Sequence, residues 1–488
     1  MVDVTETPSS IVSLSLWAVK FVEYVEFHLK VPFYHIILEV LLFVWIVRLL
    51  TRKSYIPKES RLELTKEEED KIIAEWEPQP LVPKDLIIPE YVQNPKLISG
   101  KPAYRIIVDG KDCLNLSSMN FLGFVGNNEI EDSSIAALHK YGVGTCGPRG
   151  FYGTIDVHLN LEKKIADFLE TEEAILYSYG FSTVSSAIPA YSKRTDVIFC
   201  DKGVSFAIQK GIVASRSRVY WFDHNDMEDL ERKLKEQHEK DIKNPKKAAV
   251  TRRFLVVEGI YANYGDIVPL PKLIELKNKY KVRVFIDESF SFGVLGARGK
   301  GVTDHFNIPL SEIDLVTVSL ETSLGSVGGF CAGSSFVVDH QRLSGQGYCF
   351  SASLPPLLAV AAETGLTIME KNPAMFSILR ENSQRFRQEL QGLHGLKIEG
   401  EDFSPVIHLR LIEDSSKRLT NNEKEEKLEA IVQLCLQKNV SITVARYLKD
   451  MELFQPEPSI RICINSKLSE EDIISSATII KEAAVYLL

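Results

Sequence analysis

Glu321-Thr322-Ser323-Leu324-Gly325-Ser326-Val327-Gly328-Gly329 lies between two apolar runs, Leu315-Val316-Thr317-Val318-Ser319 before it and Phe330-Cys331-Ala332 after it. Runs this short and this apolar read as buried strands, and the hydroxyl- and glycine-rich segment between them reads as a turn. Working outward, similar runs recur at 174–177, 197–200, 219–222, 254–257, 282–286 and 315–318, separated by helix-like stretches. That alternation, over about residues 165 to 335, predicts an α/β fold with a mostly parallel sheet and helices on both faces. Function in such sheets sits at the carboxyl ends of the strands, so the residues that follow each run are the ones to weigh.

Four such places stand out. Tyr179-Gly180-Phe181-Ser182-Thr183 enters a helix and can present backbone N–H groups to a phosphate, or simply connect strand to helix. Asp201-Lys202-Gly203-Val204-Ser205-Phe206-Ala207-Ile208-Gln209-Lys210-Gly211 follows the second run, and Asp287-Glu288-Ser289-Phe290-Ser291-Phe292-Gly293 the fifth. The fourth is the stretch containing Thr322. Asp287 alone is equally able to cap a helix or bond its own loop.

The chain has 488 residues, 45% hydrophobic and 25% charged, which suffices for a large domain and a smaller one. A net charge of -9 gives no basic footprint for nucleic acid. The seven cysteines are scattered without a C-x-x-C pair, a pattern of reduced, mostly buried thiols that indicates neither a disulfide framework nor a metal site.

Taken with Asn120-Phe121-Leu122-Gly123, Gly144-Thr145-Cys146-Gly147-Pro148-Arg149-Gly150, His158, His224-Asn225-Asp226 and Gly265-Asp266-Ile267-Val268-Pro269-Leu270, these motifs resemble those of the α-oxoamine synthases over about residues 100 to 488. Members of that family join an amino acid to an acyl-CoA on pyridoxal phosphate (PLP). The resemblance implies a fold-type-I PLP-dependent transferase, with a large domain over 103–360 and a smaller C-terminal α/β domain over 361–488. It also implies three lost positions. Thr322 stands where the family has the lysine that carries PLP, Ser205 where a histidine stacks on the cofactor ring, and Phe290 where D-E-x-H-S-x-G has its histidine. Asp287 is retained as a vestige at the position that pairs with the pyridine nitrogen. A hydroxyl cannot form an imine, so no catalytic residue is expected in this chain.

Among α-oxoamine synthases the chain most resembles subunits that lack the lysine and pair with a lysine-bearing homologue to condense L-serine with palmitoyl-CoA. PLP would then be bound by that partner, and small membrane regulatory subunits are expected beside the pair. Fold-type-I sites lie at dimer interfaces, so two loops are candidates to complete the partner's pocket. One carries Cys146, Arg149, Phe151 and Tyr152 in a glycine-rich run that can approach an acyl-CoA or phosphate, with little room expected at Cys146. The other, Phe350-Ser351-Ala352-Ser353-Leu354-Pro355-Pro356, offers the hydroxyls of Ser351 and Ser353. Both can also be ordinary interface loops. Arg461 lies near the family's substrate-carboxylate arginine, or is a plain strand residue. Two other readings stay open: an enzyme using another lysine, Lys202 or Lys210, and a membrane-anchored scaffold or regulator outside sphingolipid synthesis.

Residues 31–50, VPFYHIILEVLLFVWIVRLL, have the length of a membrane-spanning helix despite Glu39 and Arg48. Arg48, Arg52 and Lys53 place the main domain in the cytosol and the N-terminus in the lumen by the positive-inside rule. The family implies the endoplasmic reticulum. Residues 1–30 read as an amphipathic interfacial segment. Residues 51–102 read as a short helix with a capping box at Thr65, then a Pro-rich linker. Asp109-Gly110 between two β-like runs predicts a hairpin.

Overall fold

A computed structural model describes residues 20–24, 27, 32–51, 64–82, 88–412 and 419–488. The apolar runs become seven strands of one sheet: β1 (Glu173–Tyr177), β2 (Val197–Asp201), β3 (Arg218–Phe222), β4 (Arg253–Glu258), β5 (Arg283–Asp287), β6 (Leu315–Ser319) and β7 (Gly329–Gly333). Their spatial order is β1-β7-β6-β5-β4-β2-β3. Strands β2 to β6 pair in parallel, while β7 runs antiparallel to both its neighbours. Every residue of β2 is buried, and β4 and β5 are buried past their first residue, which is why they read as continuous apolar runs and not as alternations.

The expected strand ends fall one residue short. Asp201, Glu258 and Asp287 each continue a strand and are buried there, with Glu258 and Asp287 side by side in register. Three carboxyl groups thus stand at the carboxyl edge of adjacent strands. Helices follow: α1 (Gly180–Tyr191) after β1 and α2 (Phe206–Ser215) after β2, with Asp156–Leu169 packed against β1 from before it.

The Asp109-Gly110 hairpin forms, pairing Arg105–Val108 with Lys111–Asn115 antiparallel. Both turn residues have positive φ, 48° and 81°, the conformation a two-residue type I′ turn requires. The C-terminal strands Leu396–Glu399, Val406–Leu411, Ile460–Cys463 and Thr443–Val444 make a separate four-stranded sheet in that order. Residues 440–444 are split between two sheets: Val440–Ser441 pairs with Lys111–Asn115, and Thr443–Val444 with Ile460–Cys463. By contacts, residues 90–488 form one compact unit and residues 1–89 another.

In the N-terminal unit, Lys66–Glu75 is a helix with the expected capping box at Thr65. A helix spans Phe33–Thr51, and its described side chains are exposed. The expectation of a membrane-spanning helix is not supported: among the described residues, no helix is long and apolar enough to cross a membrane. Nineteen residues rise roughly 28 Å, barely the thickness of a hydrocarbon core, and His35, Glu39 and Arg48 interrupt the apolar surface. Of the amphipathic segment, residues 20–24 and 27 are helical and the rest lies outside the described residues, as do Arg52 and Lys53.

Candidate functional site

The strand ends converge on the loops that the sequence singled out. Asp287 leaves β5 buried, its Oδ1 accepting from the Ser289 N–H at 3.0 Å and its Oδ2 from the Thr317 hydroxyl at 2.8 Å. Thr322 reaches the same loop, donating its hydroxyl to the Ser289 carbonyl at 2.5 Å. Ser205 precedes α2, and its N–H donates to Glu258 Oε1 at 2.6 Å; the other Glu258 oxygen accepts from the Ala262 N–H at 3.0 Å. Gly180 completes the enclosure, since a Cβ there would come within 2.3 Å of the Ser319 hydroxyl at the end of β6. The structure therefore gathers Thr322, Ser205, Asp287 and the Tyr179–Gly180 turn at one edge of the sheet.

Phe290 is half-buried against Phe121, with ring centroids 6.1 Å apart. It adds an apolar contact and no donor. Burial raises the pKa of Asp287. Burial and the neighbouring Asp287 charge push Glu258 up to about 7. Sequence reasoning had not singled out Glu258; the signal was an acid closing an apolar run, as at Asp201 and Asp287.

Beside this pocket stands a cationic histidine. His224 Nδ1 lies 2.8 Å from Asp201 Oδ1 and Nε2 lies 2.9 Å from Asp266 Oδ2, with the ring stacked on Tyr264 at 4.1 Å. Burial opposes its charge, but the bonds to Asp201 and Asp266 outweigh burial and lift it to about 10. Asp201 also accepts from the Gly203 and Asn225 N–H groups and from the Tyr261 hydroxyl. This network fixes the turn that leads to Ser205.

PLP, which the resemblance implies, needs an amine for its imine and a partner for its ring. The amine is not supplied here: Thr322 offers a hydroxyl already engaged with Ser289, and Ser205 has no ring, while Asp287 accepts one donor on each oxygen and keeps further acceptor capacity. Nor do the two alternative lysines serve: Lys202 binds Asp223 at 2.5 Å, and Lys210 donates to the Met451 carbonyl at 3.0 Å. The residues present do not fit a covalently held cofactor.

The two loops expected to serve a partner lie against each other, but their side chains divide into two sets. Arg149 is buried, and its guanidinium makes a two-point ion pair with Glu162 at 2.8 and 2.9 Å, donates to Thr154 at 3.0 Å and lies over the Tyr348 ring. It is a structural anchor and not the exposed cation expected for acyl-CoA or phosphate. Ser353 is likewise buried: its N–H donates to the Gly147 carbonyl, and its hydroxyl meets the Gly153 carbonyl and the Thr145 hydroxyl. His158 ties the loops further, accepting from the Ile155 N–H on Nδ1, so its Nε2 is the protonated nitrogen that donates to the Leu354 carbonyl at 2.6 Å.

Outward point Phe151, Tyr152 and Phe350, 67%, 103% and 83% exposed, with Cys146 also exposed and Ser351 half-buried. The tight packing expected at Cys146 is overturned: the backbone there is left-handed at φ 60°, and the side chain faces outward. Glu162, the missed partner of Arg149, lies among the apolar face residues Leu161 and Ile165, where an unpaired carboxylate would be costly. Arg461 is half-buried on its strand with no partner for Nε among the described residues.

The chain and its fold have known relatives. The aminotransferase class I and II family model matches residues 111–479. Serine palmitoyltransferase 1 of Dictyostelium discoideum is 45% identical over 452 residues, covering 92% of this chain and 93% of that protein. Long chain base biosynthesis protein 1 of Arabidopsis thaliana is 40% identical over 456 residues, covering 93% and 92%. Among solved structures, a Sphingomonas wittichii serine palmitoyltransferase superposes with a TM-score of 0.70 at 24% identity, over 80% of this chain and 92% of that one, and so shares the fold.

Proposed function

The chain belongs to the aminotransferase class I and II family, alongside serine palmitoyltransferase 1 and long chain base biosynthesis protein 1, and on that premise we propose that it is a required, non-catalytic subunit of a serine palmitoyltransferase. The complex condenses L-serine with palmitoyl-CoA to 3-oxosphinganine, at the start of sphingolipid synthesis. A lysine-bearing homologous subunit holds PLP and performs the chemistry. This chain contributes the outward-facing set of its loop pair, Cys146, Phe151, Tyr152, Ser351 and Phe350, to the shared site. Small membrane subunits regulate the pair.

The observation that carries this reading is the Thr322 hydroxyl, engaged with Ser289 in the place where an amine is needed. The turns around it are intact, so the chain keeps the shape of its relatives without the reactive group. Attachment to the endoplasmic reticulum membrane, with the main domain cytosolic, belongs to the same proposal. What supports it is the exposed apolar surface of Phe33–Thr51, followed in sequence by Arg52 and Lys53.

The test is to purify the chain alone and with its lysine-bearing homologue. Alone, it should form no borohydride-reducible PLP adduct and condense nothing, and Thr322→Lys should not rescue it, because Ser205 and Phe290 leave the ring unsupported. Together, the two chains should turn over serine and palmitoyl-CoA. Condensation by the single chain would overturn the reading.

A further inference from the structure

The paired loops are joined to a third segment. Ser353 donates its N–H to the Gly147 carbonyl at 3.0 Å and its hydroxyl to the Gly153 carbonyl at 2.5 Å, which locks 350–354 onto Arg149–Gly153. Just beyond β1, Ser178 donates its hydroxyl to the Ala352 carbonyl. The approach needs glycine: a Cβ on Gly153 would come within 2.0 Å of the Gly147 carbonyl oxygen. The exposed aromatic side chains carried on this joint are Phe151, Tyr152 and Phe350, with Tyr179 and Phe181 beside Ser178.

Charge is missing from it. Arg149 is the only charged residue in 141–154, 177–183 and 345–356, in a chain that is 25% charged, and it is buried against Glu162. The other polar groups turn inward. The Thr145 and Ser353 hydroxyls meet each other, Thr154 meets Arg149, and His158 meets the Leu354 carbonyl. What faces solvent is chiefly ring surface and the Cys146 thiol.

Backbone conformation is a separate observation. Phe151 (φ −127°, ψ 62°) and Tyr152 (φ 63°, ψ 10°) leave the helical region within Arg149–Gly153, and Tyr152 is left-handed. The Tyr152 ring has no partner among the described residues that would offset this strain. Strain held in a tied loop marks a position fixed for something outside the chain.

The chemistry of the two substrates says what that is. The phosphates of coenzyme A call for cations, and the ammonium and carboxylate of serine call for charged or hydrogen-bonding partners. This surface offers neither. A saturated acyl chain asks only for apolar cover and the exclusion of water. We infer that Phe151, Tyr152 and Phe350 cover the far part of the acyl chain, beyond the reacting carbonyl, and so set the chain length that the complex accepts. The inference rests on the proposed subunit role and adds which part of which substrate the loops recognise. Each methylene that loses its cover costs about fourfold in binding.

The test is condensation of serine with palmitoyl-CoA and with lauroyl-CoA by the pair assembled from this chain and its lysine-bearing homologue. In the double variant Phe151→Ala, Phe350→Ala, kcat/KM for palmitoyl-CoA should fall by at least about tenfold more than kcat/KM for lauroyl-CoA, the cover of roughly two methylenes. Phe151→Leu with Phe350→Leu keeps an apolar cover and should hold the ratio within about threefold of the wild type. Phe336→Ala removes an exposed ring from the helix Ser335–Ser344, beyond the other end of β1, and should leave the ratio unchanged. All of these side chains are exposed, so melting should stay that of the wild type. Equal losses for both thioesters, an unchanged ratio in the alanine variant, or a ratio moved as far by Phe336→Ala would each overturn the inference and leave the subunit role standing. A wild-type pair that condenses no acyl-CoA would remove that role, and the inference with it.

Discussion

The strand-end pocket and the paired loops at 145–153 and 350–356 have kept opposite things. Around Thr322, Asp201, Glu258 and Asp287 organise the backbone, while Thr322, Ser205 and Phe290 carry neither an amine nor an imidazole. In the loops a buried ion pair and a chain of carbonyl contacts hold four side chains outward against solvent. A scaffold and its chemistry are therefore separable. Groups whose partners lie within the chain stay because the fold needs them, whereas exposed aromatic side chains on a rigid loop need a partner from outside to explain them.

The change that should break this contrast most is Arg149→Ala. It leaves Glu162 buried without its counter-ion and Thr154 without a donor, a loss on the order of 3–5 kcal/mol. Denaturant unfolding should show it, together with faster proteolysis of the loop. A variant as stable as the wild type would mean that Arg149 does not anchor the loops.

The pocket framework should show itself through pH. His224 is lifted to about 10, above the 6.5 of a free histidine, so the folded state holds a proton that the unfolded state has lost between those values. The stability it confers is complete below pH 6.5 and drains away as pH rises towards 10, at up to about 1.4 kcal/mol per pH unit. Glu258 and Glu288, pushed up to about 7 chiefly by burial, act at lower pH, between about 4.5 and 7, where the folded state also holds extra protons and stability again falls as pH rises. Burial also pushes the thiols of Cys200, Cys331, Cys435 and Cys463 upward, and these add a slope of the same sign as pH approaches 9, so His224 is read from the difference between proteins: His224→Gln should flatten the slope most between about pH 7 and 8. A slope unchanged in the variant would place the charge elsewhere.

Much of this was legible in the chain, and what was not has physical reasons. Continuous apolar runs gave the sheet away because strands buried on both faces carry little else. The strand ends were misjudged by a residue because Asp201, Glu258 and Asp287 are polar and buried, and a pattern of hydrophobicity stops at the first acid. The proposed loss at Thr322 rests on the identity of one residue in a turn whose place at the strand end was legible. The direction of Arg149 and Ser353 could not be read, since an arginine in a glycine-rich run looks the same whether it meets solvent or Glu162. The split at 440–444 turns on two strands of two residues each, too short for any periodicity.

Cys146→Trp sharpens the comparison from the side of the loops. The cysteine is exposed, so the larger ring displaces nothing in the isolated chain, and its stability should change by less than about 0.5 kcal/mol. If the loop faces the partner, as proposed, the same ring intrudes on it in the assembled complex. Condensation of serine with palmitoyl-CoA should fall by at least about tenfold with assembly retained, since small displacements at a reacting centre are costly. Full activity in an intact complex would place the loop away from the chemistry.

The smallest expected effect on the fold is at Tyr152. Its backbone is left-handed at φ 63°, a conformation that costs a non-glycine residue roughly 1 kcal/mol, and its side chain is 103% exposed. A strained tyrosine with no partner among the described residues stabilises little in its own chain. Tyr152→Gly removes the ring and relieves the strain, offset by the extra freedom glycine gains when unfolded, so the unfolding free energy should shift by less than about 1 kcal/mol and in either direction. If the ring serves the partner, association with the lysine-bearing subunit or turnover of the pair should nonetheless fall. Measuring both in one variant separates the two causes: a fold left intact with a weakened complex assigns the strain to the interface. A complex unchanged in affinity and turnover would make Tyr152 a strained loop residue without a function, and would weaken the case that this loop faces the shared site.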